Sequence, residues 1–306
     1  MNKILAVIDL GTNTCNLLVA EYQNQQFTIL HQSKEVVKLG KEGIHKNLLT
    51  SDALARAIRA IQKHQGKIRS YNTENVVAIA TSAIREAENR DWFQQQIKKE
   101  TGINLQIISG EKEAELIFKG VRLAFKNLEN NSLILDIGGG SNEFILVRNN
   151  EPAWTESFPL GMARIISKIP PSDPITEAEI GEIEHYFETQ LNLLWKQVEN
   201  VRIPMLIGCS GAFDTLADLI DQTDAGTKIR ISQKLKMEDF ETVCNRLIAS
   251  TTNDRLQMKG MESIRVEMIV PAVLFIRKII IRLNIKKIVQ TDFALREGVL
   301  FEHIFS

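Results

Sequence analysis

The sequence predicts an α/β protein of two domains, and three observations carry that expectation. Its 306 residues amount to about two domains of ordinary length. Apolar runs of strand length rich in Val, Ile and Leu come first, and longer stretches of helical period then alternate with further strands. A shift of 127 positions lays Asp9-Leu-Gly-Thr-Asn-Thr14 over Asp136-Ile-Gly-Gly-Gly-Ser141, each segment preceded and followed by an apolar strand, so one supersecondary unit is used twice.

In the first half, strands are expected at 4–8, 16–22, 27–31 and 34–39. Leu54, Ile58, Ile61 and Ile68 then recur at helical spacing, which gives a helix from Ser51 to about Arg69. A strand at 75–80, a helix after Asn89, a strand at 103–108 and a helix from Glu111 to about Phe125 come next. The polar stretch Lys126 to Asn131 interrupts the pattern and divides the chain into domains 1–126 and 127–306. The second half opens with strands at 132–136, 143–148 and 152–157 and helices near 162–168 and 176–199. Thr176 with Glu179 makes a capping box at the start of the longer helix. Beyond it lie a strand at 203–207, helices near 211–221, 237–250 and 263–283, and a strand at 285–290. A closing helix over about 293–306 can pack back on the first domain.

Composition removes several function classes. With 37 Lys plus Arg against 38 Asp plus Glu, the formal charge is -1, so a general nucleic-acid coat is excluded and an anionic ligand needs a local site. Three cysteines, Cys15, Cys209 and Cys244, form no C-x-x-C pair and suit a reducing cytoplasm. The apolar run Ile4 to Ile8 ends at Asp9, short of a signal peptide, and Met268 to Ile276 is short of the roughly 20 residues of a membrane span. A soluble cytoplasmic protein, binding neither membrane nor nucleic acid, is expected.

The strongest local signal is the turn from Asp136 to Glu143. Gly138, Gly139, Gly140 and Ser141 let backbone N–H groups approach phosphate oxygens, and Asp136 and Glu143 are candidates for holding a hard cation such as Mg2+. The bland alternative is a tight hairpin with glycines at positive φ; the related turn at Asp9, with Asn13 and Thr14, weighs towards phosphate. Thr81 to Ala87 comes after a strand C-terminus, where ligands of α/β sheets bind, and Arg85 offers a planar fork to a phosphate or to a surface ion pair. Ser109 is a candidate N-cap. Glu111, Glu113 and Glu115 behind it are ordinary first-turn acids that also supply a general base, and spacing alone does not choose among them. Arg56, Arg59, Lys63 and Lys67 share one helical face, usually a solvated surface and otherwise a guide for a polyanion. Cys15 and Cys209 sit in turns where small size explains them.

Taken in order, DLGTNT, ATSAIREAEN, ISGEKEAELIFKGV, LILDIGGGSNEFIL, ESFPLGMARI, CSGAFDTLADL and DFALREGVL make the chain resemble the exopolyphosphatase and guanosine pentaphosphate phosphohydrolase (Ppx/GppA) family, within the actin, sugar kinase and heat-shock chaperone superfamily. The resemblance runs from Asp9 to the end of the chain. It implies two actin-like (ribonuclease H-like) domains with a cleft between them and Mg2+-dependent hydrolysis of a terminal phosphate from polyphosphate or pppGpp. It implies Glu113 as general base, and Asp136 and Glu143, with Asp9, as metal-site carboxylates. Arg85, Asn13, Thr14, Gly138 to Ser141, Ser210 and Gly211 become phosphate contacts, and a homodimer is the implied assembly. Three departures stand out: Thr12-Asn13-Thr14 replaces the usual Ser-Asn-Ser, Asn142 replaces a customary Thr, and Cys209-Ser210-Gly211-Ala212 lacks the usual Gly-Gly-Thr run. The alternatives are a small-molecule kinase using the same turns on ATP, for which no adenosine or sugar motif is found, and a non-catalytic actin-like nucleotide-binding protein.

Overall fold

The computed structural model describes residues 3–41, 43 and 46–305. Its chain forms two units, Met1–Leu123 with Ala294–Ser306, and Ala124–Phe293.

The first unit is built on Lys3–Leu10 (β1), a strand buried over most of its length because Leu5 to Ile8 are all apolar. A hairpin joins it to Thr14–Gln23 (β2), and Gln26–Val36 (β3) extends the antiparallel meander. The sequence-expected strands at 27–31 and 34–39 are one strand here. Polar His31 to Ser33 do not interrupt it, since β3 is an edge strand whose side chains are half exposed and whose pairing to β2 runs on through them. Ser51–Arg69 (α1) is capped by Thr50 Oγ1, which accepts from Ala53 N at 3.1 Å. This helix buries Leu54, Ala57, Ile61 and Ile68 against the sheet. On its basic face Arg56 donates to Val37 O at 2.6 Å and Lys38 O at 2.8 Å, Lys63 pairs with Glu35 at 2.6 Å and Lys67 lies over the Tyr71 ring, while Arg59, Lys63 and Lys67 are exposed to solvent. Val76–Ala80 (β4), Ser82–Arg85 (α2), Arg90–Thr101 (α3), Leu105–Ile107 (β5) and Gly110–Ala124 (α4) complete the run. The sheet order is β3-β2-β1-β4-β5, with β1, β4 and β5 parallel.

The second unit repeats that plan. Ser132–Ile137 (β6), Asn142–Arg148 (β7) and Glu151–Phe158 (β8) form the meander, and Met162–Lys168 (α5), Glu177–Gln190 (α6) and Asn192–Val198 (α7) come after it. The expected helix over 176–199 is therefore two helices. Trp195 Nε1 donates at 3.0 Å to the Glu188 carbonyl, which a continuous helix would offer to the Asn192 N–H. The Thr176/Glu179 capping box is present. Met205–Cys209 (β9), Gly211–Asp221 (α8), Gln233–Leu235 (β10), Met237–Ile248 (α9), Thr252–Leu256 (α10), Ile269–Leu283 (α11) and Lys287–Thr291 (β11) complete the unit. The helix expected from 263 starts at Ile269 because Pro271, lacking an N–H, is tolerated in a first turn. β10 and α10, at three and five residues, are too short for periodicity to register.

Counted from β8, the second sheet runs β8-β7-β6-β9-β11-β10, and β6, β9 and β11 are parallel. Up to β11 this is the β3-β2-β1-β4-β5 order of the first sheet, so the repeat at Asp9 and Asp136 is a repeat of architecture. The protein is α/β, with two mixed sheets each forming a unit.

Leu295–Ile304 (α12) returns the chain to the first unit, where it packs on β1 and β2. Ser306, the last residue of the expected closing helix, lies outside the described residues. Among the described residues no helix is long and apolar enough to cross a membrane.

Candidate active site

In the first unit, the register Leu10↔Ala80 between β1 and β4 and Ala80↔Ile107 between β4 and β5 sets three strand ends level. Three segments therefore emerge at one edge: the Gly11 to Thr14 turn after β1, α2 after β4, and α4 after β5. Gly11 N closes the turn on Thr14 O at 2.9 Å, while Asn13 O accepts from Val37 N at 2.9 Å and Lys38 N at 3.1 Å. Thr14 is buried, and its Oγ1 accepts from Asn16 Nδ2 at 3.3 Å. Ser109 caps α4, accepting from Lys112 N at 3.1 Å, which puts Glu113 in the first helical turn. Arg85, at the end of α2, donates through Nη1 to Glu113 Oε2 at 2.6 Å, with Ile108 O at 3.4 Å. Side-chain exposures of 15% and 9% hold this ion pair largely out of water. Asp9 Oδ2 accepts from Asn16 Nδ2 at 3.0 Å, and its buried Oδ1 has no hydrogen-bond partner. Burial raises the Asp9 pKa, and the Asn16 hydrogen bond and the Arg296 charge oppose that shift.

In the second unit, β6, β9 and β11 likewise end together, with Asp136↔Cys209 and Thr291↔Cys209 in register. Gly138 N closes its turn on Ser141 O at 3.0 Å. Start-of-helix groups of α5 then take the turn's carbonyls: Met162 N donates to Gly138 O at 3.0 Å, Ala163 N to Gly139 O at 2.9 Å and Gly161 N to Gly140 O at 3.2 Å. In a trans peptide the next N–H points opposite to the carbonyl, so the N–H groups of Gly139, Gly140 and Ser141 face away from α5. Three adjacent amides aimed one way make an anion-binding concavity. The left-handed glycines among the described residues are Gly102, Gly226 and Gly260. Gly138 and Gly161 therefore serve close approach rather than the positive φ of the hairpin alternative. A Cβ at Gly138 would lie 2.7 Å from Ser141 O, and one at Gly161 2.2 Å from Gly140 N.

Asp136 and Glu143 are cross-strand partners whose side chains share one face, and both are buried. Ser210 Oγ donates to Asp136 Oδ2 at 2.7 Å, and Ser157 Oγ to Glu143 Oε1 at 2.7 Å. Ser210 takes φ 68° at the N-cap of α8, a strained value for a non-glycine residue, of the kind that clusters at functional sites. Asn142 is structural, its Nδ2 donating to Leu160 O at 2.8 Å and so fixing the approach of Gly161 to the turn.

Sequence reasoning missed Arg265. A Cβ on Gly211 would meet its Nη2 at 1.8 Å, so the guanidinium lies across the start of α8. Its buried Nε has no hydrogen-bond partner, and Glu262 Oε2 is 3.9 Å away. A cation beside the positive end of a helix is unfavourable unless an anion joins it. The glycine of CSGA was the available signal. Arg164, donating through Nε to Gly140 O at 3.1 Å, was missed as well.

Among the described residues no group of three or more His, Cys, Asp and Glu side chains is placed to hold a metal ion. Mg2+ needs fewer, since it is commonly held by one or two carboxylates together with waters and substrate phosphates. The buried pair Asp136 and Glu143 fits that requirement, and Asp9 with its unpartnered Oδ1 offers a further hard oxygen in the first unit.

Also on this carboxyl edge, Asp292 Oδ1 and Asp214 Oδ1 share the amide of Gln290, at 2.6 and 2.9 Å. Burial and the Asp214 charge push Asp292 up to about 6 from its ordinary 3.8. The folded chain thus holds this proton more tightly than the unfolded one, and the stabilisation present below pH 3.8 is lost as pH rises through about 6. Urea unfolding between pH 4 and about 7 should show that fall, and Asp214→Asn should flatten it. An unchanged pH slope in the variant would separate the two carboxyls.

Comparison with known proteins gives a consistent result. The family described as the Ppx/GppA phosphatase family matches residues 18–306. A crystal structure of an exopolyphosphatase from Cytophaga hutchinsonii superposes with a TM-score of 0.94 at 36% identity, covering 99% of this chain and 98% of that one. Exopolyphosphatase 1 of Mycobacterium leprae is 28% identical over 99% of this chain and 90% of its own length. A bifunctional 3-dehydroquinate synthase/phosphatase of Fusobacterium nucleatum is 29% identical over 91% of this chain, which spans 43% of that longer protein.

Proposed function

This chain belongs to the Ppx/GppA phosphatase family, and from that premise we propose that it hydrolyses the terminal phosphoanhydride of inorganic polyphosphate or of pppGpp, releasing one phosphate. The observation that carries the reading is the Gly138–Ser141 turn, whose carbonyls are spent on α5 and whose next three N–H groups face the other way, beside two buried carboxylates. Exopolyphosphatase is the name of both the Cytophaga structure and the Mycobacterium relative, which favours polyphosphate.

In this mechanism the N–H groups of Gly139, Gly140 and Ser141 bind the phosphate chain, with Ser210, Gly211 and the Arg265 guanidinium adding contacts at the start of α8. In the first unit Arg85, Asn13 and Thr14 are the residues we assign to phosphate. Glu113 Oε2 accepts a proton from the attacking water as its oxygen bonds to the terminal phosphorus and the bridging P–O bond breaks in line. Asp136 and Glu143 are the residues that would hold Mg2+ in the second unit, with Asp9 a further carboxylate of the first, and the ion would supply charge neutralisation on the phosphate oxygens. Positioning and charge neutralisation account for most catalysis of phosphoryl transfer, which suits a site made of amides, guanidinium and carboxylates. Cytoplasmic location and a homodimer complete the reading.

The test is phosphate release by the purified protein with Mg2+, comparing long-chain polyphosphate, tripolyphosphate, pppGpp and ATP at matched terminal-phosphate concentration. Release from polyphosphate is expected, and release from pppGpp alone would transfer the activity to the nucleotide. Release from neither, with a small molecule phosphorylated from ATP, would overturn the reading in favour of a kinase.

A further inference from the structure

Arg85 makes an unusual use of its guanidinium. Among the described residues, its short contacts all come from Nη1: Glu113 Oε2 at 2.6 Å and Ile108 O at 3.4 Å. Nη2 has only Glu86 Oε1, at 3.7 Å, which is outside hydrogen-bond range. A largely buried Arg thus holds its carboxylate by a single point, although its fork is shaped for two parallel bonds to a carboxylate or phosphate. The two partners also differ in freedom. Glu113 is fixed in the first turn of α4, where its N–H donates to Ser109 O at 2.9 Å, whereas Arg85 ends a helix of four residues and reaches Glu113 on a long stem.

We propose that Glu113 and the substrate compete for the Arg85 guanidinium, so that Arg85 keeps the base paired until a phosphate takes it over. The inference rests on Glu113 being the general base. In the substrate-free chain Oε2 is spent on Nη1, and a carboxylate bound to a guanidinium is a poor acceptor of a water proton. An incoming phosphate offers Arg85 a bidentate partner. Exchanging one charge-assisted bond for two favours the swing, and the guanidinium leaves Oε2 to a water in the same movement that binds the group to be attacked. Arg85 then acts twice, as phosphate contact and as the latch that ties activation of the base to occupancy of the site. Water activation is withheld when no phosphate is bound.

The competition predicts a specific coupling in binding, measured by calorimetry with the non-hydrolysable P–NH–P analogue of tripolyphosphate. Glu113→Gln, which no longer holds Arg85 by a charged partner, should bind the analogue about tenfold tighter than wild type, the worth of one net charge-assisted bond. Arg85→Ala should bind it more weakly, and adding Glu113→Gln to Arg85→Ala should bring no gain. Arg85→Met retains the packing of the stem and takes the place of Arg85→Ala if that variant unfolds. An equal gain in the Arg85→Ala background would mean that Glu113 repels the anion directly, and no gain in Glu113→Gln alone would mean that no competition exists; either result overturns the latch. Turnover in Glu113→Gln separates this from the parent reading. Lost turnover without tighter binding removes the latch and keeps the base, whereas wild-type turnover removes the base itself.

Discussion

Glu113→Gln is expected to lose turnover by about three orders of magnitude, within the range that a positioned general base contributes. Gln keeps the length of the side chain and an oxygen that can accept from Arg85 Nη1, so the local packing has no reason to change. The amide cannot take a proton from water, so the loss should fall on kcat. KM should hold or drop, because binding comes from the turn amides and guanidinium groups and not from the base. Thermal unfolding should place the variant at or modestly below wild type, since the pair is largely buried but the amide oxygen still accepts from Arg85 Nη1. Measuring kcat, KM and the unfolding midpoint on one preparation checks all three. Retained kcat would move the base role to another carboxyl, and a collapsed midpoint would make Glu113 a structural partner of Arg85.

Much of the fold was legible, and the reasons are local. Strands of the first unit announce themselves because Ile4 to Ile8 and Leu17 to Ala20 are unbroken apolar runs, and the capping box at Thr176 and the Ser109 cap depend on residues three apart in sequence. The boundary errors have tertiary causes. Trp195 intercepts the Glu188 carbonyl and splits a helix whose apolar period is unbroken, and the pairing of β3 to β2 carries a strand across polar His31 to Ser33. At the candidate site the same division holds. Gly138 to Ser141 stand together in sequence and could be singled out, whereas Arg265 lies 54 positions beyond Gly211 and meets it only because the start of α8 and the turn before α11 converge. The pairing of Arg85 with Glu113 was equally hidden. Each was a candidate alone, and only the level ends of β4 and β5 bring them within 2.6 Å.

The closing helix gives the second large effect, and it comes from residues that look unfavourable in sequence. Gly120 in α4 and Gly298 in α12 each cost about 1 kcal/mol of helix propensity relative to Ala. Their use is the approach of the two helices. A Cβ on Gly298 would stand 1.8 Å from Leu116 O, and one on Gly120 would stand 1.9 Å from Ala294 O. Both obstacles are backbone, which cannot rotate aside as a side chain can, so the helices must separate to admit either methyl. Gly298→Ala should therefore destabilise the protein by about 3 kcal/mol, the upper end for overpacking, despite the better propensity of alanine. Separation would also strain the contacts of Glu302 with Lys112 and Lys119, each at 2.6 Å. Because α4 carries Glu113 one turn from Leu116, a shift of about 1 Å should lower kcat by about a hundredfold as well. Gly120→Ala and Gly298→Ala press on one interface, so the double variant should lose less than the sum of the singles, the separation forced by one making room for the other. Urea unfolding of the two singles and the double decides it. Full additivity would place the glycines in independent contacts, and a Gly298→Ala protein as stable as wild type would show that α12 can leave α4 without cost.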